Sequence, residues 1–241
     1  MLLRFAEDAG CLGGGIVPAD LMDEPTRVLA IRHGETAWNV DTRIQGHLDI
    51  PLNDKGLWQA SRVAAAVAEE GITAIYSSDL MRAYQTAEAI SRATGVPIVS
   101  DTGLRERGFG EFEGFTYQEI AERWPEEAER WRKRDPEFAP RGAGESIRVF
   151  YDRCVAVATR LAAAHPGETI AVISHGGVMD CLYRAASRLD LAAPRSWLLG
   201  NASVNRLLHT PGGFTLIGWS DTSHLEGGAL DESSDRVGSA A

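Results

Sequence analysis

The sequence predicts an α/β sandwich with a largely parallel, covered sheet. Strand-like and helix-like segments alternate along the body of the chain. Two strands, Val28-Leu29-Ala30-Ile31 and Ile170-Ala171-Val172-Ile173, are apolar at every position, the pattern of strands buried on both faces. No repeat of fixed period divides the 241 residues, of which 44% are hydrophobic. That suits one substantial domain with its own core.

The elements follow in order. The first apolar strand ends in Arg32-His33-Gly34. Leu57, Ala60, Ala64 and Val67 then recur at helical spacing, and Gly71 closes that helix. Thr73 to Tyr76 is short and β-prone. Ser77-Ser78-Asp79 offers N-caps to a second helix with Leu80, Ala83, Ala87 and Ile90 on one face. Val96-Pro97-Ile98-Val99 reads as another strand. The stretch 115–140, rich in Glu, Arg and Trp, reads as a surface helical excursion broken by Pro125 and Pro136, with Trp124 and Trp131 assigned to helix packing. Ser146 caps a long amphipathic helix from Ile147 to Ala164. Thr169 to Ser174 is the second fully apolar strand. Leu207-Leu208 and Phe214 to Ile217, joined across Thr210-Pro211-Gly212-Gly213, form a closing hairpin.

Charge and cysteine usage exclude several function classes. The net charge of −10 is concentrated at the ends: residues 1–25 and 221–241 each carry −4, leaving −2 for the body. We read 1–25 as an acidic, poorly ordered extension, 26–225 as the domain, and 226–241 as a flexible acidic tail. A near-neutral body has no basic stripe for nucleic acid. No apolar run approaches the ~20 residues of a membrane helix, and Glu7 and Asp8 interrupt any secretory signal. Cys11, Cys154 and Cys181 are odd in number and widely spaced. They form neither a disulfide framework nor a zinc cluster, which points to a reducing cytoplasm.

The two apolar strands share a feature that packing does not require. One ends in Arg32-His33-Gly34, the other in Ser174-His175-Gly176-Gly177. In an open α/β sheet ligands bind at the carboxyl ends of strands, so two histidines leaving neighbouring strands would face one pocket. Arg82 sits in the first turn of its helix, the wrong end for a cation by the helix dipole. A helix N-terminus with a guanidinium is, however, a good anion site. Asn39 lies within reach of the same space.

In these residues the chain resembles the histidine phosphatase superfamily, the phosphoglycerate mutase-like clan. The resemblance rests on Arg32-His33-Gly34-Glu35-Thr36 with Trp38-Asn39, then RIQGHLDIPLNDKG (43–56), SSDLMRAYQTA (77–87), LRERGFGEFEG (104–114), GES (144–146), SHGG (174–177) and WSDTSHL (219–225). It implies a three-layer α/β/α sandwich and an edge-strand homodimer. It makes His33 the nucleophile, kept neutral, with a backbone carbonyl taking its other ring N–H. Arg32, Arg82 and a charged His175 would surround the phosphoryl oxygens, with Asn39 and the Gly176 N–H as lesser contributors. Glu106 matches the acid/base position, although spacing alone makes it a surface residue paired with Arg105 or Arg107. Gln45, Gly46 and Arg107 match substrate-bordering positions, and Glu145 the pocket rim. His47, His165 and His209 are given no role, and His224 a packing or hydrogen-bonding one.

Within that clan, mutases carry Glu-Arg-His-Tyr-Gly around the acid, where this chain has Glu106-Arg107-Gly108-Phe109-Gly110. A mutase must also retain a bisphosphate intermediate, which needs more positive charge than the sequence offers. The expectation is therefore a metal-independent phosphomonoesterase, with no cofactor, acting on a small phosphorylated metabolite. The glutamates of 118–137, if they face the opening, would disfavour polyanions. Mutase-type transfer is the alternative. A metal-dependent phosphoesterase is disfavoured by the lack of Asp-x-Asp or His-x-His spacing and by the arginines. An inactive phospholigand-binding scaffold is disfavoured because every expected catalytic residue type is present.

Overall fold

A computed structural model describes residues 24–226. The acidic ends and Cys11 lie outside the described residues, apart from Glu24, Pro25 and Glu226. In chain order the elements are β1 (Thr26–Arg32), α1 (Ala37–Val40), α2 (Asp54–Val67), β2 (Ile72–Ser77), α3 (Met81–Thr94), β3 (Ile98–Ser100), α4 (Tyr117–Arg123), α5 (Pro125–Arg132), α6 (Ile147–Ala163), β4 (Thr169–Ser174), α7 (Gly176–Ser187), β5 (Val204–Thr210) and β6 (Gly213–Asp221).

The six strands form one sheet in the order β3-β2-β4-β1-β5-β6. The pairings from β3 to β1 are parallel and the two involving β5 are antiparallel. The predicted three-layer sandwich is what forms, and the alternating faces of β1 and β4 show why. Val28, Ala30, Ile170 and Val172 pack with α6 and α7 residues such as Phe150, Leu161 and Leu182. Leu29, Ile31, Ala171 and Ile173 pack with α2 and α3 residues such as Val63, Ala64 and Ile90 on the other face. Both strands are covered twice, so alternation vanishes from their sequences.

Three local expectations change. The Ser77-Ser78-Asp79 cap does not form. α3 starts at Met81 with Leu80 at the cap position and no side-chain cap; the Met81 N–H instead donates to Asp49 Oδ1 at 2.6 Å. Leu57 is 48% exposed, so the inner stripe of α2 begins with Gly56 and Gln59 rather than with it. The third strand begins at Ile98 rather than Val96, after Pro97, which has no N–H to give a ladder.

The excursion is two helices, α4 and α5, with Pro125 at the first position of α5, where its missing N–H is no loss. It has a small core of its own: Phe112, Ile120, Ala128 and Phe138, backed by Trp124 and Trp131. Trp124 stacks on Phe112 at 5.4 Å, the packing role predicted for it. Cys154 and Cys181 are buried thiols in the α6–α7 layer. Among the described residues no helix is long and apolar enough to cross a membrane.

Candidate active site

The site begins with strand register. β1 and β4 are parallel neighbours with Arg32 beside Ser174, so both chains leave the sheet at one edge. The His33 N–H donates to Ser174 O at 2.9 Å. The imidazoles of His33 and His175 then stand 5.3 Å apart between centroids, inclined by 60°. Two residues 142 positions apart meet as expected.

His33 Nδ1–H donates to Gly34 O at 2.6 Å, which leaves Nε2 as the ring nitrogen with a free lone pair. The predicted backbone carbonyl is therefore in place. Burial first, then the charges of Arg82 and Arg32, hold His33 well below its ordinary value of 6.5. That favours the neutral ring, the form the resemblance implies for a nucleophile. His175 is fully buried, with Nε2 hydrogen-bonded to Ser78 Oγ at 2.8 Å. Burial, then Arg82, His33 and Arg32, also push His175 well below 6.5. Burial first, and the guanidiniums after it, thus favour the neutral ring over the charged donor that the resemblance implies.

Those guanidiniums are held from behind. Arg82 is 1% exposed; its Nη2 donates to Gly46 O at 2.8 Å and its Nη1 to Leu48 O at 2.9 Å. Gly46 has φ +50°, and a Cβ there would sit 2.0 Å from Glu113 Oε1. Only glycine fits that turn. Arg32 Nη1 donates to Leu199 O at 2.7 Å, and burial lowers this guanidinium to about 10. After these contacts three buried nitrogens have no partner: Arg32 Nε, Arg82 Nε and His175 Nδ1. Each unsatisfied buried polar atom costs about 1–3 kcal/mol, so the site is preorganised for an anion at the expense of stability.

A cavity of about 190 Å³ opens on this group, lined by Arg32, His33, Asn39, Gln45, Gly46, Arg82, Glu106 and Gly176 among others. Asn39 Oδ1 accepts from the Thr36 N–H at 3.1 Å, within a capping box that starts α1. Gln45 Oε1 accepts from Thr36 Oγ1 at 3.1 Å. Both amide oxygens are thereby engaged by Thr36.

Glu106 does not sit on the surface. Its Oε2 accepts from the Gly177 N–H at 2.9 Å and its Oε1 from the Arg107 N–H at 2.8 Å. A Cβ at residue 177 would lie 2.1 Å from Glu106 Oε1, so the second glycine of SHGG makes room for the carboxylate. Arg105, offered by spacing as its partner, instead pairs with Asp79, Nε to Oδ1 at 2.7 Å. The cluster thus combines an imidazole with a free Nε2 lone pair, three buried nitrogens without a protein partner and an adjacent carboxylate.

This constellation can be set against known proteins. Residues 28–222 match the histidine phosphatase superfamily, branch 1. The chain belongs to that superfamily. As a histidine phosphatase it is a phosphoric monoester hydrolase. It is 40% identical to the phosphoglycerate mutase-like protein 4 of Arabidopsis thaliana over 202 residues, covering 83% of this chain and 86% of that one. It is 37% identical to the metal-independent phosphoserine phosphatase of the same plant over 204 residues, 84% of each. The solved mycobacterial glucosyl-3-phosphoglycerate phosphatase superposes with a TM-score of 0.73 at 32% identity, over 81% of this chain and 99% of that one.

Several residues of this histidine phosphatase that hold the site were not singled out by sequence. Asn201 Nδ2 donates to His33 O, Gly34 O and Asn39 Oδ1 at 3.1 to 3.2 Å, clamping the turn that follows β1. Arg153 binds Glu145 through Nε and Nη2 at 2.9 and 2.7 Å while its Nη2 also reaches Glu106 O at 3.2 Å. Glu145 is thus a support for the loop that carries Glu106. Among the histidines given no role, His47 Nε2 lies 2.9 Å from Glu106 O and steadies that same loop. His224 Nε2 bonds Ala202 O at 3.0 Å, as expected of a structural residue.

Arg107 lies apart from the cavity at His33. Its Nε and Nη2 donate to Glu145 O and Phe138 O, and it lines a second cavity of about 190 Å³ that shares Glu106, Phe109 and Gly176 with the first. The excursion reaches this second cavity through Trp131 and Arg134, not through glutamates. Glu119, Glu127 and Glu129 pair with Arg43, Arg141 and Arg132. The expected acidic screen is therefore absent from the opening.

The depressed histidines set the pH dependence of stability. Their folded values lie below 6.5, so between the two values the unfolded chain binds more protons. Their contribution is fully present above pH 6.5 and is lost as the pH falls. We expect the melting midpoint to drop by roughly 5 °C or more from about pH 7 to about pH 5. Inorganic phosphate should reduce the drop, because it favours imidazolium. Calorimetry checks this; a flat midpoint would mean that the imidazoles titrate normally.

Proposed function

We propose that this histidine phosphatase hydrolyses a small phosphorylated metabolite through a phosphohistidine on His33. Nε2 attacks phosphorus in line as the ester P–O bond breaks. The Glu106 carboxyl gives its proton to the leaving oxygen, then as carboxylate takes one from the water that cleaves the P–N bond. Arg32, Arg82, His175, Asn39 and the Gly176 N–H hold the three equatorial oxygens. Gln45 and Gly46 border the substrate, and Arg107 borders its alcohol half. The observation that carries this reading is the convergence of three buried, unpartnered nitrogens beside the lone pair of a neutral His33.

Among the described residues no group of three or more His, Cys, Asp or Glu is arranged to hold a metal ion. The proposed chemistry needs none, since the guanidiniums supply the positive charge. Turnover of an aryl phosphate in EDTA is expected to equal turnover without it. Activity lost in EDTA and restored by a divalent ion would replace this reading with a metal-dependent one.

Mutase-type transfer draws support from the names of several relatives and from Arg107 in the second cavity. Hydrolysis is favoured because much of the positive charge there is already engaged. All three Arg184 nitrogens are bonded, to Asp180, Asp190 O and Ala193 O, and Arg134 shares Asp180. A panel of phosphorylated metabolites, assayed for phosphate release and for isomerisation with bisphosphoglycerate present, should give release only. We place the enzyme in the cytoplasm as a homodimer, which fractionation and light scattering test.

A further inference from the structure

We propose that Arg153, on α6, is a positioning residue for proton transfer, holding Glu106 where its carboxyl meets the leaving oxygen. This inference rests on the acid role given to Glu106 above. It concerns a side chain that lines neither the cavity at His33 nor the one at Arg107, so its effect must pass through the segment that carries the carboxylate.

That segment lacks the support of a sheet or an α-helix. Residues 103–106 lie between β3 and α4, and their carbonyls have no ladder to join. Side chains take them one after another instead. Arg153 Nη1 donates to Gly103 O at 2.9 Å and to Arg105 O at 3.0 Å, and its Nη2 to Glu106 O at 3.2 Å. Ser174 Oγ donates to Leu104 O at 2.6 Å, and His47 Nε2 stands 2.9 Å from Glu106 O. One guanidinium therefore serves the carbonyls of Gly103, Arg105 and Glu106 together.

The remaining donors complete the arrangement. Arg153 Nε and Nη2 reach Glu145 Oε1 and Oε2 at 2.9 and 2.7 Å, so all five N–H groups of the guanidinium are engaged. Glu145 Oε2 also accepts from the Gly108 N–H at 2.8 Å. The pair thus grips the chain on both sides of Glu106, by carbonyls before it and an N–H after it. The planar fork sets the spacing of those carbonyls, which an ammonium, a point donor, cannot span. The groups around the anion site are anchored elsewhere: Arg32 on Leu199 O, Arg82 on Gly46 O and Leu48 O. Disturbing Arg153 should hence move the acid and leave the anion site in place. Proton transfer responds steeply to such movement, since a misplacement of about 1 Å can cost about 100-fold.

The test is a double-mutant cycle between Arg153→Lys and Glu106→Gln, read on nitrophenyl phosphate and on the alkyl phosphate turned over fastest in the metabolite panel. Arg153→Lys should lower kcat on the alkyl ester on the order of 10- to 100-fold. Its KM, and the first-step release of nitrophenolate, should stay within about threefold of wild type. In the Glu106→Gln background the same substitution should cost less than about threefold on the alkyl ester, because the acid it places is already gone. Glu145→Gln, which keeps the carbonyl contacts of Arg153 but must turn its NH₂ toward one of two donors, should show the same selectivity at smaller size. It carries the test where Arg153→Lys fails to fold. Equal losses on both esters, or full additivity in the cycle, would overturn the positioning role and leave the acid role standing. Equal losses on both esters in Glu106→Gln itself would overturn the acid role, and this inference with it.

Discussion

His33→Ala is expected to lower phosphate release on the order of 10⁴-fold or more, since removing a nucleophile leaves only charge stabilisation behind. The loss should be chemical rather than structural. His33 contributes one side-chain hydrogen bond, to Gly34 O, and that oxygen keeps Asn201 Nδ2 at 3.2 Å. Arg32 and Arg82 are fixed by Leu199 O, Gly46 O and Leu48 O, none of which depends on the imidazole. The variant should therefore still bind phosphate or vanadate while turning over almost nothing. Wild type quenched during turnover should carry an acid-labile, base-stable phosphoryl group, and the variant none. Phosphoenzyme assays with labelled ester, alongside oxyanion binding, check both halves. Full activity in His33→Ala would end the proposal.

The meeting of His33 and His175 was legible because it rests on patterns a sequence displays. Two wholly apolar strands must lie inside the sheet, and parallel neighbours end at one edge. Arg82 was legible for a similar reason, since a cation in the first turn of α3 contradicts the helix dipole. The rest depends on paths that local pattern does not encode. Glu106 sits in an irregular segment between β3 and α4, fixed by Gly177 from α7 and by Arg153 from α6. Only the resemblance to a family pointed to it. Ser78 reads as a cap of α3, but α3 starts later, and its Oγ accepts from the Leu80 N–H and supports the His175 ring. Composition also misled over the excursion. Glutamate content does not decide which side chains face the opening; those are Trp131 and Arg134, while Glu127 and Glu129 pair with arginines.

Glu106→Gln separates proton transfer from placement. Both carboxylate oxygens accept backbone N–H groups, so glutamine must turn its NH₂ toward one of them and will sit imperfectly. A general loss of activity would therefore prove little. The leaving group supplies the distinction. An alkoxide needs a proton as the P–O bond breaks, so alkyl esters should slow by about 10²- to 10⁴-fold, the usual contribution of a positioned acid. A nitrophenolate leaves without one, and its release in the first step should fall far less. The second step still needs a base for water. With an aryl phosphate the variant should therefore show a burst of phenolate equal to the enzyme present, then slow turnover, as the phosphoenzyme accumulates. Stopped-flow absorbance reads the burst, and steady-state rates on paired alkyl and aryl esters read the ratio. Equal losses on both esters, without a burst, would leave Glu106 as a support for the Gly177 turn and remove it from the acid role.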